Sequence, residues 1–199
     1  IPFAFFFLPS PPRDELPLPD LRTVANRGVA EASINLKDTI TSVMRRQAWY
    51  KEYLQDQGAE PLDFVGSVTP ETSPSVVASA IRKTLKLDNL DPRGMNWESY
   101  QRKIVTAAEN AGILVMRSGI VDNNTHRTLS ISEFRGFAVS DPLAPVIFIN
   151  LRDAPAARLF PLIHEIAHLW LGQSGISSAK PIESRREEQF CNAVAGGVP

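Results

Sequence analysis

Two histidines stand four residues apart, at His164 and His168, with Glu165 directly after the first. On a helix, positions i and i+4 share a face, so both imidazoles can meet one metal ion. Glu165 falls one position round, near enough to hold a water beside that ion and take its proton. Zinc in such a place supplies a Lewis acid and lowers the pKa of water, and the carboxylate is the general base, so the chemistry is hydrolysis. The plain alternative is an amphipathic core helix carrying two incidental histidines. Against it, the 199 residues hold only three histidines, and two of them sit in this motif.

Two histidines leave zinc short of a third protein ligand, with a further position needed for water. The three-histidine pattern H-E-x-x-H-x-x-G-x-x-H fails, because Leu171 stands where its glycine belongs and Ser174 where its last histidine belongs. A glutamate from a later helix is the alternative, and Glu183, Glu187 and Glu188 are the candidates. Glu187 shares a stripe with Phe190, Cys191 and Val194, which looks core-facing. Glu188 shares one with Asn192 and Ala195 that could face the motif helix, and periodicity alone does not choose between the two. Cys191 is a further candidate ligand, weighed against its reading as a small buried residue. As the only cysteine it excludes an internal disulfide and a thiolate-rich zinc site, and it suits a reducing cytosol.

At these residues a resemblance becomes specific. The run His164-Glu-Ile-Ala-His-Leu-Trp-Leu-Gly172, a loop, and then Glu188-Gln-Phe-Cys-Asn-Ala-Val-Ala195 resemble the ImmA/IrrE family of zinc metallopeptidases. That family pairs an HExxH helix with a later E-x-x-[AC]-N-x-[FV]-A helix whose first glutamate is the third zinc ligand. The resemblance implies His164, His168 and Glu188 as zinc ligands, Glu165 as catalytic base, and Asn192 as a structural neighbour of the site. It extends less distinctively to Phe134-Arg-Gly-Phe-Ala138 and Val146-Ile-Phe-Ile-Asn150, and Ile1 to Thr23 resembles the junction that follows an Xre-type helix-turn-helix in fused members. The implied function is a zinc-dependent endopeptidase acting on a regulatory protein, an Xre-type repressor, in phage, mobile-element or stress control. The competing class is a zinc-stabilised regulatory or antitoxin-like binding module that cuts poorly or not at all. Either way the implied DNA-binding domain lies upstream, outside this chain.

The elements that must position these residues follow from patterning. Pro2, Pro9, Pro11, Pro12, Pro17 and Pro19 make residues 1–23 a linker or docking segment, and the aromatic run Phe3, Phe5, Phe6 and Phe7 needs a surface to cover it. The chain opens on an apolar stretch without Met, which reads as a piece of a longer protein. Residues 24–199 read as the metallopeptidase domain, helical over about 30–111 and with its catalytic core over about 112–199. Helical spacing predicts a helix from about Ala30 to Gln57 with Gly58 after it, one from a Ser73 cap to about Leu87, and one from Trp97 to Asn110 ended by Gly112. Strands are expected at Ile113–Arg117, Phe134–Val139 and Pro145–Asn150, with a polar turn between Val121 and Leu129. Short connections point to an α+β fold in which a small, mostly antiparallel three-stranded sheet packs with helices, the HExxH helix being gluzincin-like.

Further expectations concern rigidity and substrate. Asp153 caps the motif helix, and Pro161 inside it should kink or restart it. Gln173 to Arg186 is a loop, and the last helix begins at Ser184 with Glu187 completing a capping box. Gly196 and Gly197 weaken that helix by roughly 1 kcal/mol each relative to Ala. A substrate strand could add to a free edge at Phe134–Val139. His126 and Arg127 are oxyanion candidates by residue type only, against an exposed turn. A net charge of −1 argues against a dedicated nucleic-acid surface, and the Arg45, Arg46 and Lys51 cluster reads as a solvated helix face. The apolar N-terminal run is too short to span a bilayer and lacks the basic start of a signal peptide, so the expected location is the cytoplasm, with no membrane partner.

Overall fold

The computed structural model describes Phe7 and residues 32–88, 90, 94–177 and 186–198. The expectations for the proline-rich segment 1–23, Glu183 and the Ser184 cap fall outside the described residues. Three helices come first: α1 (Ile34–Asp56), α2 (Pro74–Thr84) and α3 (Trp97–Asn110). Each starts where a polar side chain meets free backbone N–H groups or a proline pre-sets φ. Ser33 accepts from the Leu36 N–H at 3.1 Å, Asn96 accepts from the Ser99 N–H at 2.8 Å, and α2 opens on Pro74. Gly58 and Gly112 follow α1 and α3 with φ of +66° and +92°, the left-handed backbone that lets a chain leave a helix.

Strands β1 (Leu114–Ser118), β2 (Ile120–Val121), β3 (Asn124–Thr128), β4 (Gly136–Val139) and β5 (Val146–Asn150) come next. A 3-10 turn at Pro155–Arg158, helix α4 (Leu159–Trp170), strand β6 (Gly175–Ser177) and helix α5 (Arg186–Gly197) complete the order. The fold is α+β, but the sheet is not the three-stranded antiparallel one expected. It has four strands in the order β1-β5-β4-β6, with β1 and β5 parallel and the other two pairings antiparallel. Strand β5, Val146-Ile-Phe-Ile-Asn150, is buried at every residue, so it needs a neighbour on each side. The chain between Ser118 and Val146 is long enough for the return that a parallel pairing requires. Part of that length is a separate two-stranded hairpin, β2 with β3, where a polar turn was expected. Asp122 and Asn123 turn it with φ of +44° and +62°, the paired positive values that tight hairpins demand.

The sheet divides the core. Helix α1 covers one face, where Leu36, Ile40 and Val43 meet Phe134, Phe137, Val139, Val146 and Phe148. Helices α2 to α5 cover the other, where Ile81, Ile104, Leu162, Ile166, Trp170, Phe190 and Val194 share a core with Ala138, Ile147 and Ile149. Every residue of α4 except Phe160 is buried. A helix enclosed all round can carry histidines and a carboxylate only if they are paired or hold an ion. Among the described residues no helix is long and apolar enough to cross a membrane.

Candidate metal centre

Helix α4 starts at Leu159, so Pro161 is its third residue. Backbone N–H groups in a first helical turn have no intrahelical acceptor, and a proline there sacrifices nothing. Of the two outcomes expected of Pro161, a kink or a restart, the chain takes a form of the second: a 3-10 turn ends at Arg158 and α4 starts at Leu159. Asp153 does not cap α4: it precedes the 3-10 turn and accepts from the Ala154 N–H at 2.9 Å. Arg158 anchors this entry by donating to the carbonyls of Asp153 and Leu151 at 2.8 and 2.7 Å.

The other end of α4 is held by the loop before α2. Gly66 and Val68 donate backbone N–H groups to the carbonyls of Leu169 and Trp170 at 3.0 and 3.1 Å, and Phe64 stacks on Trp170 with ring centroids 4.3 Å apart. Gly172 ends the helix at φ +69°, and a Cβ there would stand 2.9 Å from the Cα of Gly66. Two bare backbones touch at this point, which permits the loop to close over the helix end.

His164 and His168 lie on one face of α4, as their spacing requires, and α5 brings Glu188 opposite them. The two Nε2 atoms are 3.1 Å apart, and Glu188 places Oε2 3.2 Å from His164 Nε2 and Oε1 3.4 Å from His168 Nε2. A tetrahedral zinc with bonds of about 2.0–2.1 Å spaces its donor atoms by about 3.3–3.4 Å. The two Nε2 atoms and the nearer carboxylate oxygen of each stand at about such separations, and with one donor atom from each residue the three lie within 4.8 Å of one another, close enough together to bind a metal. Among the described residues it is Glu188, and not Glu187 or Cys191, that stands with the two histidines.

Electrostatics agree with a cation there. Burial works to raise the Glu188 pKa, but hydrogen bonds and charge from His164 and His168 outweigh it and hold the carboxyl far below the usual range. Burial works to lower the His164 pKa, and Glu188, Glu165 and Asn192 together outweigh it, so positive charge is favoured at that spot. Asn192, one turn after Glu188, thus neighbours the site through His164. The Cys191 thiol is pushed far up, by burial first and then by the surrounding carboxylates, which keeps it neutral.

Glu165 is fully buried, and neither of its oxygens has a hydrogen-bond partner among the described residues. Burial pushes its pKa up, and the two histidines and the Ser177 hydroxyl offset this only in part. It lies against β4, where a Cβ built on Gly136 would fall 3.0 Å from its Oε1. Sequence reasoning passed over both Gly136 and Ser177. An isolated glycine within a strand was the available signal, since it often marks a close approach.

Arg127 is not at the site. It bonds Asp38 Oδ2 at 2.6 Å and Asn35 Oδ1 at 3.0 Å, pinning the β2–β3 hairpin to α1. His126 is exposed on the same strand. Strand β4 is paired on both sides, with β5 and β6, so it offers no free edge. Strand β6 stands at the end of the sheet next to α4.

Over residues 108–197 the chain matches a peptidase-family model described as the IrrE N-terminal-like domain. No curated protein and no solved structure matches the chain. The match takes in the four-stranded sheet together with α4 and α5, and the resemblance to the ImmA/IrrE family holds over these residues.

Proposed function

We propose that this chain carries a zinc-dependent endopeptidase centre in which His164, His168 and Glu188 hold the ion and Glu165 is the general base. The observation that carries the reading is the meeting of two Nε2 atoms 3.1 Å apart with a carboxylate that sets one oxygen 3.2 Å from the first and its other oxygen 3.4 Å from the second, beside a buried carboxylate with no hydrogen-bond partner among the described residues. Zinc bound there would supply a Lewis acid for a carbonyl oxygen and would acidify water at neutral pH.

The rest of the chemistry belongs to the chain. Glu165, with a pKa raised above that of an ordinary carboxylate, takes a proton from the attacking water and returns it to the leaving amine. An extended peptide adds to the outer side of β6, beside α4, so that backbone pairing sets its register across the site. Phe160, half-exposed with its ring 6.2 Å from that of His164, offers an apolar wall for one side chain of that peptide.

The substrate is a regulatory protein, an Xre-type helix-turn-helix repressor, and the setting is a reducing cytoplasm with a DNA-binding domain on the same polypeptide or beside it. This rests on the family resemblance together with the single unpaired cysteine. The experiment is incubation of zinc-loaded protein with a co-encoded repressor, alongside Glu165→Gln. Cleavage by the parent and none by the variant is the expected outcome. A competing reading, a zinc-stabilised binding module, draws on the complete closure of Glu165 from solvent. It predicts bound zinc, repressor binding and an uncut repressor.

A further inference from the structure

Strands β4 and β6 run antiparallel with Gly136 directly opposite Ser177, and the Arg135 N–H donates to the Ser177 carbonyl at 3.0 Å. Helix α4 crosses this pair and lowers Glu165 onto it. A Cβ on Gly136 would fall 2.9 Å from the Phe148 carbonyl oxygen, 3.0 Å from Glu165 Oε1 and 3.2 Å from Glu165 Cγ. The carbonyl belongs to a strand paired on both sides and cannot retreat, so a side chain at 136 would have to push the Glu165 carboxylate out of its place. Glu165 therefore occupies the volume in which any other residue at 136 would place its side chain.

Across that volume stands a hydroxyl with nothing else to do. Ser177 Oγ is buried and has no partner among the described residues, and both Glu165 oxygens are in the same condition. Three orphaned polar atoms in one enclosed place are costly apart and satisfied together, because a hydroxyl donates and an ionised carboxylate only accepts. We propose that Gly136 and Ser177 form a built seat for Glu165: the glycine leaves the room, and the serine O–H donates to the carboxylate and sets the direction in which its free oxygen points. Ser177 is a positioning residue that acts through Glu165, and the pairing of β6 with β4 delivers it. A short strand at the rim of the site thereby steers the base through its pairing with β4. The catalytic consequence rests on the endopeptidase reading, whereas the seat itself does not.

Two arms test it, one of them independent of activity. In metal-free protein, urea unfolding is compared for the parent, Ser177→Ala, Glu165→Leu and the double variant. Losing the hydroxyl should raise the unfolding equilibrium constant about fivefold when Glu165 is present and less than twofold when it is Leu. Equal effects in the two backgrounds would overturn the seat whether or not the protein cleaves anything. In zinc-loaded protein acting on a cleaved repressor, Ser177→Ala should lower kcat about tenfold with KM and zinc content unchanged, and Ser177→Thr should restore kcat to within about threefold. An unchanged kcat in Ser177→Ala, or a Thr variant as impaired as Ala, would overturn the positioning role. Absence of any cleavage by the parent would count against the endopeptidase reading and leave the unfolding cycle to decide the seat.

Discussion

Helix α5 carries Glu188 near its start and two glycines at its end, and those glycines differ in a way that can be measured. Both lie inside the helix, and neither is among the positive-φ glycines, so alanine fits the backbone at each. A Cβ on Gly196 meets nothing within 4 Å, whereas a Cβ on Gly197 meets the Ala78 Cβ of α2 at 3.3 Å. Replacing a helical glycine by alanine gains about 0.5–1 kcal/mol, chiefly by narrowing the unfolded ensemble. Gly196→Ala should therefore stabilise by about 0.5–1 kcal/mol, or about 2–4 °C in Tm per kcal/mol for a chain of this size. At Gly197 the same gain is opposed by the close contact with α2, which must part by a few tenths of an ångström, so Gly197→Ala should bring no net stabilisation. Urea unfolding of the metal-free protein reads both. The reasoning fails if Gly196→Ala gives no increase, or if Gly197→Ala stabilises as much as its neighbour. The weakness expected of this helix is in any case offset, because Val198 is buried behind it and Arg82 donates to the Val198 carbonyl at 2.6 Å.

Other consequences are as direct. Gly172→Ala combines a left-handed backbone with a contact of 2.9 Å against Gly66, and should cost about 2 kcal/mol or more, read as a lowered urea midpoint. Arg127→Ala should loosen the hairpin from α1 and cost about 1–2 kcal/mol, while zinc affinity in a chelator competition stays the same. Burial works to raise the Asp141 pKa, yet the Lys51 ammonium and the Ala144 and Leu143 N–H groups outweigh it and hold the group below the usual range. A lowered folded-state pKa adds stability that is present above about pH 4 and is lost as pH falls through the folded value. Asp141→Asn should remove that part of the acid sensitivity in a pH series of thermal melts.

The motif helix was legible because two independent periodicities coincide there, an apolar one and the i, i+4 spacing of the histidines. Helices α2 and α3 were legible from their helical spacing, with Ser73 and Pro74 marking the start of one and Gly112 the end of the other. The partner of the histidines was half legible: the stripe carrying Glu188 could be drawn, but which stripe faces α4 depends on how α5 packs. Strand β6 was illegible. Its three residues lie in a stretch rich in Ser and Gly and become a strand only by pairing with β4. The hairpin read as a turn because β3 is mostly exposed and polar, with no alternation to announce it. The parallel pairing of β1 with β5 was missed because short connections were taken to mean antiparallel neighbours, whereas the hairpin and β4 fill the return between them. Pro161 marked the break that the structure shows as a change from a 3-10 turn to α4 two residues before it.

The division of labour within the motif can be tested by one zinc titration against a competing chelator, on the full chain and on two variants. Glu188→Gln should weaken zinc binding by about a hundredfold or more, because it removes a charged ligand opposite two imidazoles. Glu165→Gln should leave a one-to-one complex of nearly unchanged affinity, because that carboxylate lies beside the donor triangle and is no part of it. Zinc lost with Glu165→Gln, or kept at full affinity by Glu188→Gln, would contradict the assignment of ligand and base.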